Sequence, residues 1–257
     1  MAVEVRFYAE LNDFLAPSKR GRSFEVEAGP HTTVKDLAES LGVPHTEIEV
    51  VIVNGESVGF AHRVAPGDRV AIYPVFEALD VTPLVRLRPA PLRQTRFVLD
   101  VHLGRLARHL RLLGFDSRWC HDAQDVTLVR VSLRENRILL TRDRGILKRA
   151  ELTRAYYVRD QVPRRQVVEV LRRFDLFGAV IPFGRCLECN GMLQHVDKAE
   201  VYDLLPPRTR RDFDEFRRCR GCGRVYWKGS HYDRLRALAD DVLAEGPGTP
   251  PAASSRS

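Results

Sequence analysis

Residues 96–119, RFVLDVHLGRLARHLRLLGFDSRW, contain the pattern that decides the fold of this chain. They open with a short apolar run that ends in Asp100 and predicts a strand. A helix follows, because leucine and alanine recur at helical spacing up to Gly114, a residue type that commonly ends helices. FDSRW then predicts a second strand, so the stretch has the strand–helix–strand order of a parallel crossover.

The same alternation continues down the chain. VTLVRVSLRENR (126–137) predicts a helix, RILLTRD (137–143) a strand and GILKRA (145–150) the start of a third helix. RAYYV (154–158) and PRRQVVEVLRRFDLF (163–177) add one more strand and one more helix. Strands that alternate with helices predict the α/β class, with a parallel sheet joined by right-handed crossovers.

Acidic residues stand where these strands end. Asp100 and Asp143 each follow an apolar strand directly, and either Asp125 or Asp122 lies on the loop above another strand. Ligands bind outside the carboxyl ends of parallel strands, and carboxylates gathered there repel one another unless a cation lies between them. Such oxygen ligands suit Mg²⁺ or Mn²⁺, and two ions about 3.5–4 Å apart can bind the attacking and leaving oxygens of a phosphodiester. The alternative is that each aspartate caps a helix or forms a turn, which explains Asp160 equally well.

Charge is unevenly distributed along the 257 residues. Residues 1–79 hold 7 Lys/Arg and 12 Asp/Glu, a net charge of −5, whereas residues 80–257 hold 34 Lys/Arg and 22 Asp/Glu, a net charge of +12. An arginine-rich region predicts a polyanionic partner, although solubility or a coding bias explains the same composition. No apolar run approaches the ~20 residues of a membrane helix, and the N-terminus lacks a signal-peptide pattern, so a cytoplasmic protein is expected.

Residues 1–79 predict a small β-rich module. Its segments VEVRFYAEL, SFEVEA, TTVKDLAESLG, EVVIVNGESV and APGDRVAIYPVF have the order β-β-α-β-β of a β-grasp unit. The module resembles the ubiquitin-like sulfur carriers of thiamin and molybdopterin synthesis, through VRFYAEL, TVKDLAESLG, VNG and PGDRVAIYPVF. Those carriers end in a free Gly-Gly, but this chain continues through PVFEALDVTP, so the resemblance implies a binding or scaffolding module.

Two C-x-x-C pairs predict a structural zinc site. Four thiolates can bind one tetrahedral ion, whereas disulfides are disfavoured in the cytoplasm. The 29 residues between the pairs exceed the usual spacing and predict a helix and a proline-broken turn. The fifth cysteine, Cys120, ends an apolar strand and is expected to be buried. The predicted zinc ligands are Cys186, Cys189, Cys219 and Cys222.

Aromatic and basic residues alternate after the second pair, in RVYWKGSHYDRLRAL (224–238). This pattern suits single-stranded nucleic acid, because rings stack on bases while cations neutralise phosphates. The alternative for Tyr226 and Trp227 is that they cover the small zinc core. Lys228 and His231 are the more open candidates for RNA contacts.

Residues 96–235 resemble the Mut-seven C-terminal RNase domain, a group of PIN-like nucleases with a fused zinc ribbon. The motifs that carry the resemblance occur in order: RFVLDVHLGRLARHLRLLGFD, RILLTRDRGIL, PFGRCLECNGML and FRRCRGCGRVYWKGSHYDRL. Fusion to a sulfur-carrier-like β-grasp unit is also an arrangement of that family. The resemblance implies a PIN-like fold and a metal-dependent ribonuclease activity.

The resemblance also implies roles for the acids. By motif, Asp100 matches the family's first-strand acid, Asp143 the acid of the TRD element and Asp125 the acid that opens the helix between them. Together they would hold one or two Mg²⁺ or Mn²⁺ ions. The family's middle acidic cluster is denser than HDAQD (121–125) here, so the choice between Asp122 and Asp125 stays open.

Basic residues near these acids are predicted to bind RNA, with single-stranded RNA expected because its bases are accessible. Arg142 and Arg144 flank Asp143. The helix after Asp100 carries a basic face opposite its apolar stripe, although a solvated face is the ordinary explanation. That face comprises Arg105, Arg108, His109 and Arg111.

The predicted organisation has five parts. They are a ubiquitin-like β-grasp domain (1–79), a linker rich in proline and arginine (80–95), a PIN-like RNase domain (96–180), a zinc ribbon (181–240) and a disordered tail (241–257). Two other functions stay open. The chain could be a non-catalytic RNA-binding adaptor, or a protein-interaction scaffold led by its β-grasp domain.

Overall fold

The computed structural model describes residues 2–74 and 95–246. Almost all of the predicted linker, and the tail beyond residue 246, lie outside the described residues. Within them the chain divides into two compact units. The first comprises residues 2–74 and 125–157, and the second comprises residues 95–124 and 158–246.

The elements are numbered in chain order. The strands are β1 (Ala2–Phe7), β2 (Phe24–Glu27), β3 (Ile48–Val53), β4 (Glu56–Val58), β5 (Arg69–Pro74), β6 (Arg96–Leu99), β7 (Asp116–Trp119), β8 (Ile138–Thr141), β9 (Ala155–Tyr157), β10 (Leu193–Val196), β11 (Phe216–Cys219) and β12 (Val225–Trp227). The α-helices are α1 (Val34–Ser40), α2 (Gly104–Leu112), α3 (Asp125–Glu135), α4 (Arg144–Leu147), α5 (Pro163–Arg173), α6 (Lys198–Val201), α7 (Pro207–Asp212) and α8 (Ser230–Leu243).

The N-terminal part of the first unit is a mixed sheet with the order β2-β1-β5-β3-β4. β1 pairs with β5 in parallel, and β2 and β3 add antiparallel strands on either side. α1 begins at a capping box in which Thr33 Oγ1 and the Asp36 carboxylate each accept a backbone hydrogen bond. Its apolar residues, such as Leu37, pack on the buried alternate positions of β1 and β5. The predicted β-grasp fold is confirmed, with β4 as a short additional strand.

The other part of the first unit, residues 125–157, contributes α3, β8, α4 and β9. All four residues of β8 are buried, and β8 pairs in parallel with β9. The helix predicted over GILKRA is only the short α4. It ends once its two apolar residues, Ile146 and Leu147, are buried, and Lys148 then turns the chain towards β9.

The second unit is built around the stretch that predicts the fold. β6 pairs in parallel with β7, and the buried stripe of α2 packs against α5 as the helical spacing predicts. Phe97 on β6 lies between two other rings, with centroids 6.3 Å from Phe115 and 5.8 Å from Phe174. These contacts make a continuous apolar core under the strand that ends at Asp100.

The rest of the second unit is a small antiparallel sheet with the order β10-β11-β12. α6 and α7 fill the long gap between the two cysteine pairs and cover a core that includes Val201 and Phe216. α8 follows and continues through Leu243, three residues into the segment predicted as tail, because Val242 is buried.

The chain is therefore an α/β protein with parallel strand pairs, an N-terminal ubiquitin-like module and a cysteine cluster towards its C-terminus. Among the helices within residues 2–74 and 95–246, none has the length and apolar character needed to cross a membrane.

Candidate functional site

Asp100 follows β6 directly and is almost completely buried, with 5% of its surface exposed. Its Oδ1 accepts the Val101 N–H at 2.6 Å, and its carbonyl accepts the Leu103 N–H at 2.9 Å. The carboxylate thus caps the 3₁₀ turn that leads into α2. The capping interpretation that the sequence left open is therefore correct for Asp100. The capping bond uses one oxygen of the carboxylate, Oδ1.

Asp143, in the first unit, caps the turn after its strand in the same way as Asp100. It follows β8, its Oδ1 accepts the Gly145 N–H at 2.6 Å, and its own N–H donates to Thr141 Oγ1 at 2.9 Å. A Cβ at Gly145 would lie 3.1 Å from that carboxylate oxygen, so the glycine permits the close approach. Unlike Asp100, Asp143 is exposed to solvent.

The middle acids lie on opposite sides of a unit boundary in the chain, because Asp122 belongs to the second unit and Asp125 to the first. Both are exposed, and Asp125 is the first residue of α3, as the sequence predicts. The Cys120 thiol donates to Asp122 Oδ1 at 2.8 Å, and this bond together with His121 lowers the pKa of Asp122. The choice between Asp122 and Asp125 stays a prediction.

Cys120 is exposed, so the expectation of a buried thiol is wrong. β7 ends one residue earlier, at Trp119, whose side chain is half-buried. Its indole Nε1 donates to the Val101 carbonyl at 3.2 Å. A Cβ at Gly104 would lie 2.7 Å from the indole ring, so glycine is required there. Trp119 and Gly104 therefore fix the turn that follows Asp100, a role that the sequence pattern does not reveal.

The arginines predicted near the acids differ in their surroundings. Arg105 is exposed on the first turn of α2, and Arg142 is half-buried after β8. The Arg144 guanidinium lies over the rings of Phe14 and Tyr157, at 5.1 and 5.5 Å from their centroids, and donates to the carbonyl of Asp13 at 3.2 Å. Arg144 therefore connects α4 to the N-terminal module, and its contact with phosphate stays a prediction.

Arg111 does not belong to an exposed basic face. It is only 4% exposed, and it donates to the carbonyls of Ser117 at 2.8 Å, Leu187 at 3.0 Å and Glu188 at 2.8 Å. Arg111 stands four residues after the buried Ala107, at the border of the apolar stripe, and this spacing was the signal for burial. Its function is to tie α2 to the cysteine-containing loop.

His109 also leaves that face, since it is half-buried and lies 3.4 Å from the Pro163 carbonyl through Nδ1. Burial lowers its pKa, so the ring carries less positive charge than an exposed histidine would. Of the four residues predicted on the basic face, Arg105 and Arg108 are the exposed ones.

The four cysteines of the two C-x-x-C pairs converge as predicted, with their sulfur atoms all within 4.8 Å of one another. Cys186 Sγ lies 3.7 Å from Cys222 Sγ, and Cys189 Sγ lies 3.3 Å from Cys219 Sγ. These separations exceed a disulfide bond and match the ~3.8 Å between thiolates that each lie ~2.3 Å from a tetrahedral zinc ion. The donor set and its geometry therefore fit zinc.

The surroundings prepare one of these thiols to ionise. Burial raises its pKa, but hydrogen bonds from the Cys189 N–H and the Tyr226 hydroxyl outweigh burial, and the pKa of Cys186 is about 7. The Tyr226 oxygen lies 3.0 Å from Cys186 Sγ. A Cβ at Gly191 would lie 2.8 Å from Cys219 Sγ, so this glycine lets the two loops close around the sulfurs.

The two basic residues predicted after the second pair are both exposed. The Lys228 ammonium pairs with the Glu215 carboxylate and holds the pKa of that carboxyl below its usual range. His231 lies in the first turn of α8. Trp227 packs against the ribbon core, as the alternative interpretation expected.

Comparison with known proteins gives two family matches. The Mut7-C RNAse domain model matches residues 95–239, and the Mut7-C ubiquitin model matches residues 1–80. Among solved structures, SAMP1 from Haloferax volcanii is 22% identical, covering 30% of this chain and 99% of its own, with a TM-score of 0.25. A second structure of H. volcanii small archaeal modifier protein 1 is 23% identical, covering 28% and 95%, with a TM-score of 0.23.

No curated protein matches the chain. The RNAse-domain match includes both parallel strand pairs and the four cysteines, and so extends over more than half of the sequence. The chain belongs to the Mut7-C RNAse domain family and carries that family's ubiquitin domain at its N-terminus.

Proposed function

We propose that this protein is a metal-dependent ribonuclease that hydrolyses RNA phosphodiester bonds. One observation supports this most strongly: in a chain of an RNAse-domain family, Asp100 and Asp143 each follow a buried parallel strand and are each oriented by a short backbone hydrogen bond. The carboxyl ends of such strands are where α/β proteins bind ligands.

The proposed catalytic acids are Asp100, Asp143 and either Asp125 or Asp122. Their carboxylate oxygens are hard donors that fit Mg²⁺ or Mn²⁺. A divalent cation bound by them supplies acidification of water and neutralisation of charge on the scissile phosphate. The Val101 and Gly145 amides hold the Asp100 and Asp143 carboxylates in fixed orientations, so these groups need little reorganisation to bind a cation.

The remaining basic residues would position the RNA. Arg105 is exposed on the first turn after Asp100, and Arg142 directly precedes Asp143. Guanidinium groups bind phosphate through two parallel hydrogen bonds, which fixes orientation as well as charge. Single-stranded RNA is the proposed substrate, because its bases and backbone are accessible without opening a duplex.

The cysteine cluster and the N-terminal module have supporting roles in this proposal. Four thiolates leave no open position on a zinc ion, so zinc would stabilise the ribbon and take no part in hydrolysis. The ubiquitin-like module would bind a protein partner. A cytoplasmic location is part of the proposal, because free thiols suit a reducing compartment.

Substitution of aspartate by asparagine tests the acids without removing their caps, because an asparagine side chain caps a helix as well as aspartate does. RNA cleavage with Mn²⁺ is measured for wild type, Asp100→Asn and Asp143→Asn. The matched control is Asp36→Asn, since Asp36 accepts the same kind of backbone bond in the N-terminal module. Parallel assays of Asp122→Asn and Asp125→Asn identify the middle acid.

The proposal expects Asp100→Asn and Asp143→Asn to lose at least about a hundredfold in rate, since even outer partners of metal ligands contribute 10–100-fold. The Asp36→Asn control is expected to cleave like wild type. Equal cleavage by wild type and Asp100→Asn would attribute the activity to a contaminant and overturn the assignment.

A further inference from the structure

We infer that the zinc ribbon, α8 and Arg108 together form a groove that binds unpaired nucleotides of single-stranded RNA. The inference rests on the proposed function for its ligand, but the lining of the groove includes none of the proposed catalytic acids. The groove would bind nucleotides other than those that flank the scissile phosphodiester. It would thereby select unpaired over paired RNA.

The groove has the size of a ligand site. Its volume is about 570 Å³, within the range of roughly 300–1,000 Å³ that is usual for such sites. Its walls come from the loop that precedes the first cysteine pair, from β11 and β12, and from the first turns of α8. All of these segments, and Arg108 on α2, belong to the second unit.

Aromatic rings form one wall of the groove. The rings of Phe183 and Tyr232 lie with centroids 4.4 Å apart and planes inclined by 32°. Trp227 also lines the cavity while packing against the ribbon core. These rings are half-buried, so each offers part of its surface to the groove. A nucleobase can stack on such a surface whatever its identity.

Phe183 is held in place by its backbone. Its φ angle of 60° lies in the left-handed region that favours glycine, although Gly184 is the next residue. Its N–H donates to the Leu112 carbonyl at 2.8 Å, and its own carbonyl accepts a bond from Arg217 Nη1 at 2.8 Å. These two bonds therefore hold Phe183, which lines the groove, in a fixed position.

The groove carries a positive charge, with five cations against two carboxylates. The cations in its lining are Arg108, Arg185, Arg217, Arg224 and Lys228, and the carboxylates are Glu188 and Glu215. Its histidines, His195 and His231, are exposed. The excess of cations makes the groove complementary to a polyanion.

A third carboxylate, Asp116, lies outside the lining and pairs with Arg185 at 3.8 Å, so the five cations exceed the carboxylates by two. Glu188 Oε1 is shared by Arg108 at 3.6 Å and Arg224 at 3.7 Å, so one anion faces two cations. Glu215 pairs with Lys228 alone. These pairs are exposed and therefore weak, so a phosphate can take over the cations at little cost.

Rings and cations together identify the ligand. An acidic peptide would need the cations but would leave the rings without a partner. Duplex RNA presents phosphates but keeps its bases stacked inside the helix. A single strand supplies phosphates and accessible flat bases along one chain, which is the combination that the groove complements.

The test measures binding apart from cleavage. All variants carry Asp100→Asn so that the probe stays intact, and fluorescence anisotropy follows a short labelled single-stranded RNA of mixed sequence. Tyr232→Ala removes one ring, and Tyr232→Phe keeps the ring without its hydroxyl. Tyr202→Ala is the matched control, because Tyr202 is an exposed ribbon tyrosine, contacted by Arg210, that does not line the groove.

Loss of a stacked ring is expected to weaken binding by at least about fivefold, because stacking contributes about 1–3 kcal/mol per base. Tyr232→Phe and Tyr202→Ala should bind like the parent. Undiminished binding by Tyr232→Ala, or equal losses in Tyr232→Ala and Tyr202→Ala, would overturn the inference. Zinc content measured on each variant shows that the ribbon is intact.

The salt dependence tests the phosphate contacts separately. Arg224→Gln should reduce the slope of log affinity against log salt by about 0.7, the value for one phosphate contact on a single strand. Arg211→Gln, an exposed arginine paired with Asp212 and absent from the lining, should leave the slope unchanged. Equal slopes for both variants would count against the groove.

Cleavage by the protein without Asp100→Asn is assayed in parallel. If the protein cleaves RNA but binds it independently of Tyr232, the groove inference is wrong and the nuclease proposal stands. If binding depends on Tyr232 but no cleavage occurs, the nuclease proposal is wrong and the groove inference stands. The two failures are therefore distinguishable. A duplex of the same sequence that competes as well as the single strand would also contradict the inference.

Discussion

Two accessory modules, the N-terminal ubiquitin-like module and the cysteine-containing ribbon, are attached to the α/β strands by different contacts. The N-terminal module docks on α4, β9 and the loop between them, where His45 Nε2 lies 2.9 Å from the Leu152 carbonyl. The Glu47 carboxylate accepts the Tyr157 N–H at 2.8 Å. His45 and Glu47 are both buried, so these bonds form away from water and depend only on protein groups.

In the second unit the ribbon is also attached by hydrogen bonds to backbone groups, but these groups lie in the loop between two cysteines. Arg111 donates to the carbonyls of Leu187 and Glu188, and the Ser117 N–H donates to Asn190 Oδ1 at 3.0 Å. Leu187 and Glu188 lie between the first two cysteines. The acceptors of Arg111 are therefore positioned by the loop that the metal would close.

We therefore expect zinc to control the attachment of the ribbon and not that of the N-terminal module. A docking surface made of a loop carbonyl and a strand N–H that no metal positions persists without a cofactor. One made of a loop between metal ligands is only as ordered as the metal site. Three substitutions at the attachments, and a fourth in the capping box of α1, test this contrast.

Loss of the metal should have the largest effect. Cys219→Ser removes one thiolate, and structural zinc contributes roughly 10–16 kcal/mol of folding free energy in small zinc domains. Amide hydrogen exchange should show loss of protection in β10–β12 and at the end of α2, because the acceptors of Arg111 become disordered. Protection at Tyr157 should persist; equal loss in both units would refute the comparison.

Arg111→Met should have the next largest effect. The variant keeps apolar volume but leaves three carbonyls without their donor, those of Ser117 and Leu187 buried and that of Glu188 half-buried, which costs about 3 kcal/mol in all. Urea unfolding of the second unit measures the loss. Arg111→Lys should recover only part of it, because an ammonium cannot reproduce the geometry of a guanidinium. Wild-type stability in Arg111→Met would show that the bonds are not required.

His45→Ala should destabilise the first unit by about 2 kcal/mol, because the Leu152 carbonyl loses a buried partner and Glu39 loses its contact at 2.6 Å. Hydrogen exchange at β9 reports the effect. Zinc binding should be unchanged, measured as metal content of the purified variant. A drop in zinc content would show that the two attachments are coupled.

Substitution of Asp36 by alanine should have the smallest effect on stability. Hydrogen bonds from Thr33 lower the pKa of Asp36 below its ordinary value of 3.8, so its contribution is present above that pH and is lost as pH falls through the folded pKa. Asp36→Ala removes the acceptor of the Thr33 N–H and should cost about 1 kcal/mol at neutral pH. Thermal unfolding of wild type and variant should converge as the pH falls well below 3.8; a difference that grows on acidification would have the wrong sign.

Much of the fold could be predicted because its signals are local. The alternation of apolar strands and amphipathic helices predicts β6, α2, β7 and α5, and the two C-x-x-C pairs predict the cysteine cluster. For Arg111 the residue type misled the prediction, because arginine is usually exposed, whereas its spacing from Ala107 and its carbonyl partners bury it. Periodicity fails for Cys120, because the strand ends one residue earlier than its apolar run.

The candidate site is predicted only in part, for a physical reason. An aspartate after a strand suits both a helix cap and a metal ligand, and sequence alone does not separate the two. The structure shows the caps of Asp100 and Asp143, and their metal role stays a prediction. The surroundings of Arg144 and the groove beside Tyr232 depend on contacts between residues far apart in the chain, which no local pattern encodes.

The most direct test of the central claim is a crystal of the protein soaked in Mn²⁺ and measured for anomalous scattering. We expect a peak bonded to carboxylate oxygens of both Asp100 and Asp143, and absent from an Asp100→Asn crystal. Carboxylates of Asp100 and Asp143 too far apart to share an ion, or a peak elsewhere only, would contradict it.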